Sequence, residues 1–406
     1  MAPALVETPS FNGPSGLDKK LFPDGLKTSG QHPPDYSLVR PYDAFPKQIT
    51  GQTVWQAEDY QQHPERWTHI FSDEEVAELG EAADNFIASG VPLTGMTKER
   101  FPLPTLEPFF ESVRNEVING KGFILFKGIP VQEWSLQKSA TAYLGFGAYF
   151  GYFTSQNGQG HILGHVKDLG EDPTQKDRVR IYRTNAKQPY HTDAADLVGL
   201  LCIAKALEGG ESDILSTHHL FNHLQREHPD VVETLTTPNW YFDRKGEVSE
   251  GEDPYYRSAP MLLENDPNGG ARVWTRLDPN YVISLARYNS GPNARIPPLS
   301  AKQKHALDVW DKTCSELSLH MILDPGDIQL LSNSHVLHAR TAYKDYPPGS
   351  VNEDGRPRVR RHLMRLWLAV PETEGGWKIP FADSKERKRG GIQVNDVPPV
   401  CPLDAE

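Results

Sequence analysis

Only three cysteines, Cys202, Cys314 and Cys401, occur in the 406 residues, and no two of them are spaced as CxxC. They make neither a zinc ribbon nor a disulfide framework, which suits a reducing, intracellular setting. Long apolar runs are missing as well: nothing approaches the roughly 20 residues needed to span a bilayer, and Met1 to Glu7 has neither the basic nor the apolar region of a secretory leader. The expectation is a cytoplasmic protein with no membrane partner. Concentrated basic blocks are scarce too, since the formal net charge is −12 and the short run Lys385 to Arg389 stands near the end. Phosphate backbones need a basic face, so no nucleic-acid partner is expected. No internal repeat is visible, which argues against a solenoid.

What is present falls into three stretches. Residues 1–50 carry many Pro, Gly and Ser residues without sustained periodicity, and the stretch 1–70 reads as an extended N-terminal arm. Residues 71–370 read as a single domain with its core from about 120, and 371–406 as a tail wrapping the surface. The domain opens on a capping box, Ser72 to Glu75, ahead of an amphipathic helix stopped near Gly90, and a second helix is predicted over 108–119. The run 122–128 is apolar between glycines and reads as a buried strand. Further strands are predicted at 179–183, 190–193, 198–206, 213–216, 256–263, 271–276, 328–332 and 361–370. Helical insertions are expected after Ser216 and from Ser300. The fold class is therefore mainly β with helical insertions: a jelly-roll, double-stranded β-helix core of the cupin kind surrounded by helices.

Chemistry concentrates in a few positions. On an extended segment the two-residue period puts His191 and Asp193 on one face, close enough to share an ion. A distant histidine, either His335 or His338, would complete a facial triad of two imidazoles and one carboxylate, the arrangement that leaves positions of an Fe(II) ion open. Downstream, Arg361 and Arg365 share a strand face with Leu363 and Trp367. Two cations on a largely apolar face are costly without an anion, and a dicarboxylate suits the guanidinium fork; ion pairing with the chain's own acids is the plainer alternative. His219 and His223 have zinc-like helical spacing but no HExxH context, and read as a solvated face.

With Tyr190 to Asp193, Gly209 to Ser212, Asn333 to Thr341 and Arg361 to Leu368 set side by side, the chain resembles the TauD/TfdA family, the clavaminate-synthase-like branch of the Fe(II)- and 2-oxoglutarate-dependent dioxygenases, over roughly 120–370. The resemblance implies His191, Asp193 and His338 as iron ligands, Arg361 at the distal carboxylate of 2-oxoglutarate, Arg365 near its chelating end, and Ser212 as a hydroxyl contact. It implies Fe(II), 2-oxoglutarate and O2 as the reactants that accompany a small-molecule substrate, anionic or amino-acid-like, whose hydroxylation is coupled to decarboxylation of 2-oxoglutarate to succinate and CO2. His165, Asn185, Gln156 and Asn157 are candidates for the pocket wall. The chain departs from compact members in the long stretch Tyr346 to Gly355, read as a surface loop; strand parity with Arg365 then selects Arg361 over Arg358 and Arg360. Two rivals keep the same shell: a non-catalytic ligand-binding barrel and a metal-dependent hydrolase, the latter having no use for the arginine pair.

Overall fold

A strand buried on both faces reads as an unbroken apolar run, and several segments of this chain do so. In the computed structural model, which describes residues 39–265, 270–292, 294–378, 391–392, 394–395 and 397–405, these segments form two facing sheets. The first 38 residues of the expected arm and the basic run at 385–389 lie outside the described residues. The strands used below are β1 (Thr68–Ile70), β2 (Phe123–Lys127), β3 (Tyr152–Phe153), β4 (Leu163–Val166), β5 (Gln188–His191), β6 (Leu197–Ala204), β7 (Ser212–Ser216), β8 (Leu319–Met321), β9 (Ile328–Ser332), β10 (Val336–Arg340) and β11 (His362–Ala369). The larger sheet has the order β1-β2-β9-β6-β11-β3, with β4 also on β11; the smaller is β8-β7-β10-β5. Two packed sheets with helices outside are the jelly-roll core expected.

Side chains alternate between layers. On β2, Ile124 and Phe126 point outward to the helices Asp73–Ala88 (α1), Glu107–Asn119 (α2) and Leu136–Gly147 (α3), while Phe123 and Leu125 point between the sheets. β11 divides in the same way, with Met364, Leu366 and Leu368 outward and Leu363 and Trp367 inward. The smaller sheet packs its outer face, including Leu215, Leu337 and Ala339, against Thr217–Glu227 (α4), Pro229–Thr236 (α5) and Ala301–Leu317 (α6). The layer between the sheets carries charged and titratable side chains, because β10 sends His338 and Arg340 into it and β11 sends Arg365.

Local signals account for most boundaries. Ser72 and Ser300 each accept through their hydroxyl from the backbone N–H three residues on and donate their own backbone N–H to that residue's side chain, so both capping boxes form. Gly326, in the turn before β9, has φ +92°, and a Cβ there would stand 2.0 Å from the Ile129 carbonyl oxygen; only glycine fits. Three predicted strands need correction. Residues 256–263 form two strands, Tyr255–Ser258 and Met261–Asn265, because Pro260 cannot donate to a ladder. Residues 179–183 are a loop with a 3-10 turn, Ile181–Arg183. The strand expected at 190–193 ends at His191, so Asp193 stands just beyond it. The segment 346–355 is exposed, as a surface loop should be.

Candidate metal centre

His191 and His338 are direct cross-strand partners on β5 and β10, which brings their rings to 4.1 Å between centroids. Asp193 turns back toward them because Asn333, at the end of β9, holds its backbone. The Asn333 side chain accepts from Asp193 N at 2.8 Å and donates to the carbonyls of Asp193 at 2.5 Å and Ala195 at 2.7 Å. One ligand atom from each of His191, Asp193 and His338 lies within 4.8 Å of the others. The carboxylate oxygens stand 3.8 Å from His191 Nε2 and 3.6 Å from His338 Nε2. His335, the competing histidine, is fully buried elsewhere, between Gly120 O and the hydroxyls of Ser332 and Ser334.

The donor set suits a divalent metal. His191 Nδ1 lies 2.9 Å from the Pro189 carbonyl, which can only accept, so that nitrogen carries the hydrogen and Nε2 keeps its lone pair. That lone pair now meets the Gln188 amide at 2.6 Å, a contact a metal would displace. Burial, then the neighbouring His191, pushes His338 down to about 4, so its imidazole is neutral as a ligand requires. Burial alone would raise Asp193, but Arg365 and the histidines outweigh it and hold the carboxylate ionised, well below its usual range. Its Oδ2 also accepts from Trp367 Nε1 at 2.9 Å. Arg365 lies 3.5 Å from that oxygen, is gripped by Gln156 at 2.8 Å, and stacks on Tyr182 and Trp367, each 4.7 Å from its guanidinium.

Arg361 is on the same strand face but serves a different cavity, lined by Cys202, Gly210 and Leu363. It donates to Gly210 O at 3.1 Å, and a Cβ at Gly210 would stand 2.7 Å from its Nε, which explains the glycine pair before Ser212. Beside it is Arg340, two residues past His338 on β10 and therefore on the same inner face. Both guanidiniums pack on the Tyr343 ring, at 4.8 Å for Arg340 and 4.9 Å for Arg361. Neither makes an ion pair among the described residues, and Arg340 Nε and Nη1 and Arg361 Nη1 are buried without a hydrogen-bond partner. Burial, then Arg361, pulls Arg340 down to about 10. Two buried cations short of an anion are what a bound carboxylate would relieve. Sequence reasoning missed Arg340 and Tyr343, although the two-residue period from His338 pointed to Arg340.

Of the wall candidates, Gln156 reaches the cleft beside Asp193 and Arg365. The others are not brought there. His165 bonds His362 at 2.8 Å and Pro402 O at 3.0 Å, Asn157 accepts from Gln159 N and His161 N within its own turn, and Asn185 is exposed. Ser212 is buried next to Gln329, exchanging bonds with its amide at 3.2 and 3.0 Å, and pairs across the sheet with Arg340. His219 and His223 lie on α4, away from the triad, and neither belongs to the metal-capable group.

Asn333 offers a first test. Asn333→Ala removes three bonds that fix the Asp193 loop without touching a ligand atom. Iron affinity should fall about 10–100-fold, as when outer partners of metal ligands are lost. Iron titration against wild type checks it; equal affinities would mean that the loop holds its shape unaided.

The family model described as taurine catabolism dioxygenase TauD, TfdA family matches residues 89–367. FR-33289 synthase from Streptomyces rubellomurinus is 29% identical over 344 residues, covering 84% of this chain and 95% of that protein. A taurine hydroxylase-like protein, SAT17, from Stachybotrys chartarum is 29% identical over 323 residues, 78% of each chain. Among solved structures, asparagine oxygenase in complex with Fe(II), 3-hydroxyasparagine and succinate has a TM-score of 0.55 at 16% identity, over 75% of this chain and 93% of its own. The non-heme iron oxygenase OrfP in complex with Fe has a TM-score of 0.52 at 13% identity, over 78% and 98%. At these identities the two structures speak for the fold alone. Among the described residues no helix is long and apolar enough to cross a membrane.

Proposed function

Because the chain belongs to the TauD/TfdA family, and so is an oxidoreductase that uses Fe(II), 2-oxoglutarate and O2, we propose that it hydroxylates a small anionic or amino-acid-like molecule while 2-oxoglutarate is decarboxylated to succinate and CO2. The observation that carries this reading is the juxtaposition of three convergent ligand atoms with two buried, unpaired guanidiniums. The second relative is described as taurine hydroxylase-like, and the asparagine oxygenase complex contains a hydroxylated amino acid, both in keeping with a small polar substrate.

In this reading His191, Asp193 and His338 hold the iron. The bound iron, with its co-substrate and O2, supplies the oxidant. Every other contribution is the protein's own. Trp367 and Arg365 both engage one oxygen of Asp193 and would so orient the carboxylate that the metal shares with the two histidines. Arg361, with Arg340 beside it, neutralises the distal carboxylate of 2-oxoglutarate, Ser212 lies near that end, and Arg365 screens the chelating end. Leu363 and the apolar layer behind it keep water from the buried ligands.

The reading is tested by adding Fe(II) and 2-oxoglutarate without oxygen and recording the weak visible charge-transfer band, then screening small carboxylates, sulfonates and amino acids for succinate release in air. A band without any substrate-dependent succinate would leave the cofactor assignment standing and remove the proposed substrate class. Absence of the band would remove the site assignment itself.

A further inference from the structure

The cleft that Asp193, Arg365 and Trp367 line is also lined by Arg180, Lys245, Asp278 and Tyr281. We propose that Lys245, with Arg180 on the same tyrosine ring, is the recognition site for an oxyanion group of the substrate, a carboxylate, sulfonate or phosphonate. The proposal rests on the reading of His191, Asp193 and His338 as the metal seat.

The backbone comes first. Lys245 follows the strand Trp240–Asp243 at φ +52°, one of two non-glycine residues in the left-handed region among those described. A residue with a Cβ is unfavourable there, and such conformations persist where the surroundings over-determine them. Asp243 does so: its Oδ1 accepts from Lys245 N at 2.8 Å, and its carboxylate is clamped by Arg287 at 2.6 and 2.7 Å and by Ser284 at 2.7 Å. The turn therefore presents a lysine side chain where glycine would be easier. That side chain lies with Nζ 5.6 Å from the centre of the Tyr281 ring, and Arg180 lies 5.5 Å from the same centre.

The charges then decide what binds. Arg180 is balanced by Glu247 at 3.1 Å and touches the Tyr281 hydroxyl. Lys245 Nζ reaches only the Lys176 carbonyl and makes no ion pair among the described residues, so its charge and further N–H donors remain for a ligand. Asp278 lies within electrostatic reach of His191 and Asp193, with one oxygen committed to Asn280 N at 2.8 Å. Asp193 and Asp278 repel an anion, whereas Lys245 and Arg180 attract it. A substrate with an anionic end is thus held by that end at the lysine, leaving its uncharged carbons for the metal. Arg340 and Arg361 are not this site, because neither lines this cleft.

The test uses protein loaded with Fe(II) and saturating 2-oxoglutarate without oxygen, titrated calorimetrically with acetate, methanesulfonate and methylphosphonate. Wild type should bind at least one of them, and the iron should broaden the bound anion's NMR signal. Lys245→Met should weaken that anion about tenfold or more, the value of one charge-assisted hydrogen bond, and Lys245→Arg should restore most of it. Uptake of 2-oxoglutarate should be the same in all three proteins. Equal anion affinity in Lys245→Met, no binding of any of the three anions to wild type, or displacement of the anion by more 2-oxoglutarate would each overturn the proposal. Wild type that takes up neither iron nor 2-oxoglutarate would overturn the metal-seat reading, and the proposal with it.

Discussion

Asp193→Ala is expected to abolish succinate formation and to lower iron affinity by more than about 100-fold, beyond the range seen when only outer partners are lost. Asp193 is the one carboxylate in the triad, and without it two neutral imidazoles are left to bind a divalent cation with no anionic donor to offset its charge. The substitution also strips the buried Arg365 of its only carboxylate neighbour within ion-pair distance among the described residues. That arginine can then move over the vacated position and compete with metal. His191→Ala and His338→Ala should lose iron and succinate in the same way. His335→Ala should keep iron, since its ring contacts Ser332, Ser334, Gly120 and Trp377 rather than the triad, and should instead lower the melting temperature. Iron stoichiometry after gel filtration, measured beside succinate, separates these cases. Loss of iron in His335→Ala with retention in His338→Ala would reverse the ligand assignment. Opening the carboxylate position in Asp193→Gly is not expected to give chlorinated product in chloride buffer, because Arg365 is then free to occupy the vacated position in place of the metal.

Arg361→Ala should raise the apparent constant for 2-oxoglutarate by about one to three orders of magnitude with iron binding preserved. Truncating one partner of a buried charge pair costs about 2–5 kcal/mol, and each 1.4 kcal/mol is about tenfold. The structure favours the lower part of that interval, because Arg340 stays behind on the same tyrosine ring and can take part of the load. Arg361→Lys should recover some of the loss but not all, since a point charge cannot reproduce the planar fork or its stacking on Tyr343. A 2-oxoglutarate titration at saturating iron, followed by the charge-transfer band, measures both variants. An unchanged curve for Arg361→Ala would move the carboxylate to Arg340 alone, and unchanged curves for both arginines would remove 2-oxoglutarate from this cavity.

The parts of the fold that were legible in the sequence are those where one residue type has one local job. Ser72 and Ser300 announced their helices through side chains that bond the backbone within a single turn. β9 was read to the residue because the turn around Gly326 fixes its start. Helix α3 gave no stripe to read, since Ser139 to Gly147 are buried all round and Gly145 is pressed so close to Phe101 that a Cβ would stand 2.3 Å from its ring. At the site, the clustering of His191, Asp193 and His338 was legible because metal binding calls for specific donor types. Arg340, Lys245 and Tyr281 were not, because their meaning lies in what they face across the layer, and neither composition nor period reports that. The wall candidates near residue 160 show the same limit: proximity in sequence to Gln156 did not bring Asn157 or His165 into the cleft.

The segment from 391 onward has a consequence for how the protein is made. Ile392 N bonds Ser155 O at 2.8 Å, Val400 and Gly160 to Ile162 exchange bonds at 2.8 and 2.9 Å, and Pro402 O receives His165 across 237 positions of sequence. These late residues brace the stretch that carries Gln156, which in turn orients Arg365 toward Asp193. On a ribosome the two histidines and the aspartate emerge well before this brace exists. The grip on Arg365 beside the three donors is therefore completed only when these late residues have joined the fold.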